Sequence, residues 1–234
     1  MNPDRWLCTQ PATSDEGHVM TDNARLDSEK LAEISAITVG HYDRDAERFW
    51  AGTRDHDVSQ NRQALLRHLP PGRSLRILDL GCGPGRDLMA FRALGHSPVG
   101  LDGASTFCQM ARSISGCEVL HQDMLALDLP AERFDGVFAN ASLFHVPTQE
   151  LSQVLDHLWG TLVPEGVLFS SNPRGDNTEG FNGDRYGAYH DHARWHAMVT
   201  SRGFEELEHY FRPPGRPCHQ QPWLATVYRK KDRA

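Results

Sequence analysis

The stretch RILDLGCGPGRDL at residues 76–88 constrains this chain more than any other. An apolar run with one acid, Asp79, passes directly into Gly81, Gly83 and Gly85. Its short length and its boundary at glycine read as a buried strand. Glycine permits unusual dihedrals and lets another group come close to the main chain. Either a tight turn or a ligand-binding loop satisfies these residues alone, so the surroundings must decide.

The order of elements narrows the fold. LRILDL, SPVGLD, CEVLHQD, FDGVFANA and GVLFSSN read as strands. Helical segments separate most of them, including RDLMAFRALG, ASTFCQMARSI and TQELSQVLDHLWGTL, and DHARWHAMVTSRGF follows the last. Such alternation predicts an α/β fold with a mostly parallel sheet and helices on both faces. EELEHYFR and PWLATVYRK break the alternation and predict an antiparallel pair at one sheet edge. The expected organisation is a flexible tail over 1–30 and one domain over 31–234. Within that domain, 31–70 forms N-terminal lid helices, broken near Gly40, and 172–196 forms a substrate loop.

Composition excludes several functions. The formal net charge of −7 argues against a nucleic-acid partner and against an anionic membrane surface, both of which need a basic face. No apolar run approaches the ~18 residues of a membrane span, and the N-terminus lacks the order of a signal peptide. Cys8, Cys82, Cys108, Cys117 and Cys218 are odd in number and form no CxxC pair. Reduced thiols and a cytoplasmic location are expected.

In an open parallel sheet, ligands bind beyond the carboxyl ends of the strands. A dinucleotide loop needs Gly-x-Gly-x-x-Gly. Here Arg86 occupies the third required position, Gly85 comes one residue early, and Pro84 removes a backbone donor. A pyrophosphate therefore fits poorly. Asp79 closes strand one, Asp102 strand two and Asp123 strand three, while Asn140 closes strand four. An acid roughly 20 residues beyond such a loop is placed to grip ribose hydroxyls. Three acids repel a phosphate and suit a cationic amino-acid sulfonium nucleoside.

The motifs LDLGCGPG, VGLDGA, HQDMLALDLP, FDGVFANASLFHVP and LVPEGVLFSSNP resemble those of the class I S-adenosylmethionine-dependent methyltransferases. The resemblance runs from about Tyr42 to the C-terminus. It implies a Rossmann-like seven-stranded sheet whose last strand is antiparallel, with S-adenosyl-L-methionine as cofactor and S-adenosyl-L-homocysteine as its product. It implies that Asp79, Gly81 and Gly83 hold the methionine portion, Asp102 the ribose, and Asp123 with Met124 the adenine. Cys82, Arg86, Gly103 and Asn140 are counted in the same site. Glu165 stands where the family usually has glycine, a departure expected to cost little because Gly166 follows.

The remaining candidates concern the acceptor. Arg54, Arg174, Arg185 and Tyr186 are substrate-binding candidates, since arginine grips carboxylates by paired bonds. Tyr189, His145 and His190 are catalytic candidates, able to orient a nucleophile or take its proton. Tyr42 and Trp50 either cover the adenosine or pack in the core. His192 and His196 lie four apart on a helix, and with no third ligand evident no metal site is assigned. The expected function is methyl transfer to a nitrogen, sulfur or oxygen atom of a small polar metabolite that can bear a carboxylate. The alternatives are methylation of RNA or protein, or non-catalytic binding of the cofactor.

Overall fold

The computed structural model describes residues 25–232. Its strands are β1 (Arg76–Leu80), β2 (Ser97–Asp102), β3 (Glu118–His121), β4 (Phe134–Asn140), β5 (Leu162–Pro173), β6 (Thr178–Asn182), β7 (Arg185–Tyr189), β8 (Phe204–Arg212) and β9 (Trp223–Lys230). All but β6 and β7 form one sheet of seven strands, in the order β3-β2-β1-β4-β5-β9-β8. β9 runs antiparallel to both β5 and β8, and the other pairings in that sheet are parallel. The edge pair therefore forms as its sequence indicates. Chain order reverses between β1 and β4, where an α/β sheet opens its ligand crevice.

The central strands are covered on both faces, so they read as nearly continuous apolar runs. Phe134–Asn140 is buried from Phe134 to Ala139. On one face, helix α6 (Leu151–Thr161) buries Leu151, Val154, Leu155 and Leu158, a single helical stripe. Helix α7 (His192–Thr200) adds Trp195 and Val199 to that layer. On the other face, α3 (Ser59–Leu66) and α4 (Arg86–Ala93) cover the sheet. Leu65 and Phe91 there pack against Ile77, Phe138 and Phe169. Helix α5 (Ser105–Ser115) packs beside α4 and β2. Among the described residues Cys82, Cys108 and Cys117 are free thiols.

Several expectations change. Helix α1 (Ser28–Arg44) starts inside the stretch expected as tail, with Asp27 capping the Lys30 amide at 2.8 Å. Residues 1–24 lie outside the described residues. The helix runs through Gly40 and ends only before α2 (Ala46–Thr53). One interior glycine costs about 1 kcal/mol, which the packing of Ile34, Thr38 and Tyr42 on either side outweighs. Segment 172–196 is not a loop. It carries the hairpin of β6 and β7, and then the first half of α7. Asn182 pairs with Arg185, so Gly183-Asp184 makes the two-residue turn, with Gly183 at φ 60° in the glycine-first position that a tight hairpin favours. Glu165 adopts φ 60°, the left-handed region where a side chain costs about 1–2 kcal/mol. Gly166 does not relieve that strain.

Candidate functional site

A cavity of about 1210 Å³ opens beyond the carboxyl ends of β1, β2, β4 and β5. That volume exceeds a typical small-ligand pocket and leaves room for two molecules side by side. Helices α1 and α2 and the hairpin β6–β7 roof it, and the segment joining β8 to β9 closes one side. Several contacts tie the hairpin down. Arg44 pairs with Asp184 at 2.7 Å, the Tyr186 amide donates to Thr38 Oγ1 at 3.1 Å, and the Tyr186 carbonyl accepts from His145 Nδ1 at 2.6 Å.

The glycine loop forms the floor. Gly81 has φ 71°, and a Cβ there would lie 2.4 Å from the Ser142 Cβ. Both reasons for glycine thus apply: left-handed backbone and close approach. The Gly81 and Cys82 amides donate to the Leu101 carbonyl at 2.8 and 3.0 Å, which holds the loop against β2. Asp102 accepts from the Gly83 amide at 2.9 Å through one carboxylate oxygen and from the Ala104 amide at 2.9 Å through the other. Each oxygen retains a lone pair for a further donor. Burial raises the Asp102 carboxyl to about 6, against the opposing pull of these amides.

Asp79 is 3 % exposed, and its Oδ2 has no hydrogen-bond partner. Burial, and then the neighbouring Asp87 carboxylate, push its carboxyl well above the usual range. An orphaned buried carboxyl at a cavity wall calls for a cationic donor. Asp123 accepts from the Leu125 amide at 2.9 Å and from Ser35 Oγ at 2.5 Å. Met124, Gly103, Cys82 and Trp50 also border the cavity, so the cofactor-site residues expected from sequence come together. A cationic nucleoside with an ammonium, a ribose diol and an exocyclic amine matches this donor-poor, acid-lined wall.

Arg86, counted in the cofactor site, is engaged by the protein's own groups. It borders the cavity, yet its guanidinium donates to Asp87 at 2.6 Å and to the Thr53 carbonyl at 3.1 Å. Arg62 takes the other Asp87 oxygen at 2.6 Å. This cluster clamps α2 and α3 to the start of α4. Asn140 is held by Asn61, which donates to it at 2.8 Å and accepts from Tyr210 at 2.9 Å. Asn61 and Ser35 carry no signal in the sequence. Their partners lie 79 and 88 positions away, and no local pattern reports such pairings.

Arg174, Arg185, Tyr189, Tyr42 and His145 also line the cavity. Arg174 donates to the Gln221 carbonyl at 2.9 Å and lies over the Phe211 ring. The Tyr186 carbonyl can only accept, so His145 Nδ1 carries the hydrogen and Nε2 accepts from the Tyr42 hydroxyl at 2.8 Å. Arg185 in turn hydrogen-bonds Tyr42. Burial lowers His145 to about 4 and raises Tyr42 to about 12, so both stay neutral near pH 7.

Three expected residues fall outside the cavity. Tyr186 points into the hairpin packing and is 6 % exposed. His190 is equally buried, stacked on Trp195 behind the hairpin. Arg54 is exposed and pairs with Asp55. In the case of Tyr186 and His190, β7 and the turn after it bury the side chains that a solvated loop would have offered to substrate. His192 and His196 do meet a third group, Glu206, away from the cavity.

The half-buried His145 makes stability depend on pH. Its folded value of about 4 lies below the ordinary 6.5, so its contribution is complete above pH 6.5 and is lost as pH falls toward 4. Melting temperature should therefore drop over that window, and His145→Gln should lose less across it. Equal losses in both proteins would contradict the assignment.

Residues 77–166 match the family model described as a methyltransferase domain. A trans-aconitate 2-methyltransferase from Paracidovorax citrulli is 34% identical over 47% of this chain and 43% of its own length. A malonyl-[acyl-carrier protein] O-methyltransferase from Enterobacter lignolyticus is 30% identical over 49% of this chain and 46% of its own. The matched stretch thus spans less than half the length of either curated relative. The Burkholderia thailandensis 1,6-didemethyltoxoflavin-N1-methyltransferase, solved with S-adenosylhomocysteine, shares the fold with a TM-score of 0.74 at 21% identity. That likeness covers 90% of this chain and 94% of that one. Among the described residues no helix is long and apolar enough to cross a membrane. Residues 77–166 thus resemble a methyltransferase domain, and the seven-stranded sheet has the fold of the Burkholderia enzyme.

Proposed function

We propose that this protein methylates a carboxylate oxygen of a small organic acid, using S-adenosyl-L-methionine. The observation that carries the reading is a cavity with two unlike walls: acids at the strand ends, buried at Asp79 and half-buried at Asp102 and Asp123, and Arg174 and Arg185 on the acceptor side. The first wall suits the positively charged donor and the second an anionic acceptor. Two relatives act, by name, on trans-aconitate and on a malonyl group, both of which bear carboxylates.

When bound, the donor supplies an electrophilic methyl group whose leaving group is a neutral thioether. The protein's own residues then need to align and to exclude water. Asp79 and Asp102 fix the donor's ends, Arg185 and Arg174 orient the acid, and the hairpin closes over both. A carboxylate is already ionised near pH 7 and sheds no proton. This agrees with a site whose His145 and Tyr42 are locked to each other and remain neutral. In this reading Tyr42 and His145 are positioning residues for Arg185.

Isotopically labelled donor, incubated with a panel of di- and tricarboxylates and their amides, tests the proposal. The acids should take up label that mild alkali releases as methanol, the signature of a methyl ester. Alkali-stable label, or transfer to the amides alone, would overturn it. Arg185→Gln should raise KM for the acid by about 10- to 100-fold, the loss expected for a hydrogen bond to a charged group. Donor affinity should change far less. An unchanged KM would remove Arg185 from the acceptor wall.

A further inference from the structure

Outside the cavity, the outer face of α7 meets β8 in a cluster of imidazoles around one carboxylate. Glu206 Oε2 accepts from His192 Nε2 at 3.0 Å, from His196 Nδ1 at 2.6 Å and from the Tyr228 hydroxyl at 3.1 Å. Glu206 Oε1 accepts from His209 Nδ1 at 2.7 Å. The His192 and His209 rings stack 3.9 Å apart. The methyl-transfer site uses none of these groups.

The backbone gathers them in two ways. His192 and His196 are four residues apart, so they share one face of α7. Glu206 and His209 are three apart on β8, and a regular strand would send them to opposite faces. The register of β8 against β9 slips between Glu206 and Glu208, so an extra residue sits in β8 there. Leu207 and Glu208 consequently both face α3, Leu207 packing with its core layer and Glu208 pairing with His68. Glu206 and His209 both face α7. The bulge re-aims a side chain that the two-residue period would have turned away.

We propose that His192, His196 and Glu206 form a zinc-binding site that joins α7 to β8, with His209 beside them to complete the ligand set. The ligand atoms of the first three lie within 4.8 Å of one another. Two imidazoles and a carboxylate on rigid elements are the nitrogen and oxygen donors zinc prefers. The rings of His192 and His196 are 30% and 44% exposed, so an ion has access and the rings have room to part. A neutral imidazole carries one proton. Coordination through His192 Nε2 and His196 Nδ1 leaves that proton on the other nitrogen of each ring, with no net release. The Tyr228 hydroxyl donates to Glu206 and orients it as an outer-shell partner.

Equilibrium dialysis of the untagged full chain against zinc chloride, followed by elemental analysis, tests the site. One zinc per chain is expected, with a melting temperature that rises on loading and falls back with a chelator. His196→Asn and Glu206→Gln should each weaken uptake by at least about tenfold. His157→Asn, at an exposed histidine on α6, should leave it unchanged. Cobalt titrated into the unaltered chain should give the visible spectrum of nitrogen and oxygen ligation, a readout that needs no variant. Absence of zinc uptake or of the cobalt spectrum would overturn the proposal. So would uptake that survives both substitutions.

Discussion

Asp102→Ala should weaken binding of S-adenosylmethionine and S-adenosylhomocysteine by roughly 100-fold or more. The effect has two parts. The carboxylate is the acceptor available to a ribose diol at the end of β2, and hydrogen bonds to a charged group contribute about 1.5–3 kcal/mol each. It also holds the Gly83 and Ala104 amides, so its removal loosens the glycine loop on which the donor rests. Asp102→Asn keeps the shape and one acceptor oxygen and should lose less. The raised carboxyl adds a pH signature. Because burial pushes the Asp102 carboxyl up to about 6, donor affinity should decline as pH falls through that value, when the acceptor gains a proton. Calorimetric titration of both variants across pH checks each part.

Gly81→Val should abolish measurable donor binding and lower the melting temperature by about 5 °C. The backbone at φ 71° costs a β-branched residue about 1–2 kcal/mol. The Cβ would also lie 2.4 Å from the Ser142 Cβ, so either the glycine loop or the turn after β4 must move. Each kcal/mol shifts the melting point of a domain of this size by about 2–4 °C. Gly95 separates the two causes. Its φ is 85°, but nothing lies within 4 Å of where a Cβ would stand. Gly95→Ala should thus cost stability alone and leave donor affinity intact. Weakened binding in the Gly95 variant would show that the loop's sensitivity is not local.

The gathering of acids and glycines at one wall of the cavity was legible because its pattern is local. Asp79, Gly81 and Gly83 lie within five positions, and Asp102 and Asp123 each close a strand that the apolar runs mark out. The placement of the residues expected to meet the acceptor was less so, because it depends on burial by distant segments. Tyr186 and His190 have the right chemistry but face inward once Thr38 and His145 dock the hairpin. Gly183-Asp184 turns that hairpin, and the surrounding Gly, Asn and Asp residues obscured it. Arg86 carries a charge suited to a ligand and spends it on Asp87 and the Thr53 carbonyl. The cluster around Glu206 was hidden for a different reason. A strand's two-residue period places Glu206 and His209 on opposite faces, and only the bulge in β8 reverses that.

The central claim is that carboxyl groups at the strand ends, with the buried Asp79 Oδ2 lacking a partner, form a wall for a positively charged nucleoside. Titration calorimetry of the unaltered full chain with S-adenosylmethionine and S-adenosylhomocysteine tests it most directly. The account predicts one molecule bound per chain for both, with affinity lost in Asp102→Ala. No heat of binding from either compound, or binding that Asp102→Ala leaves untouched, would contradict it.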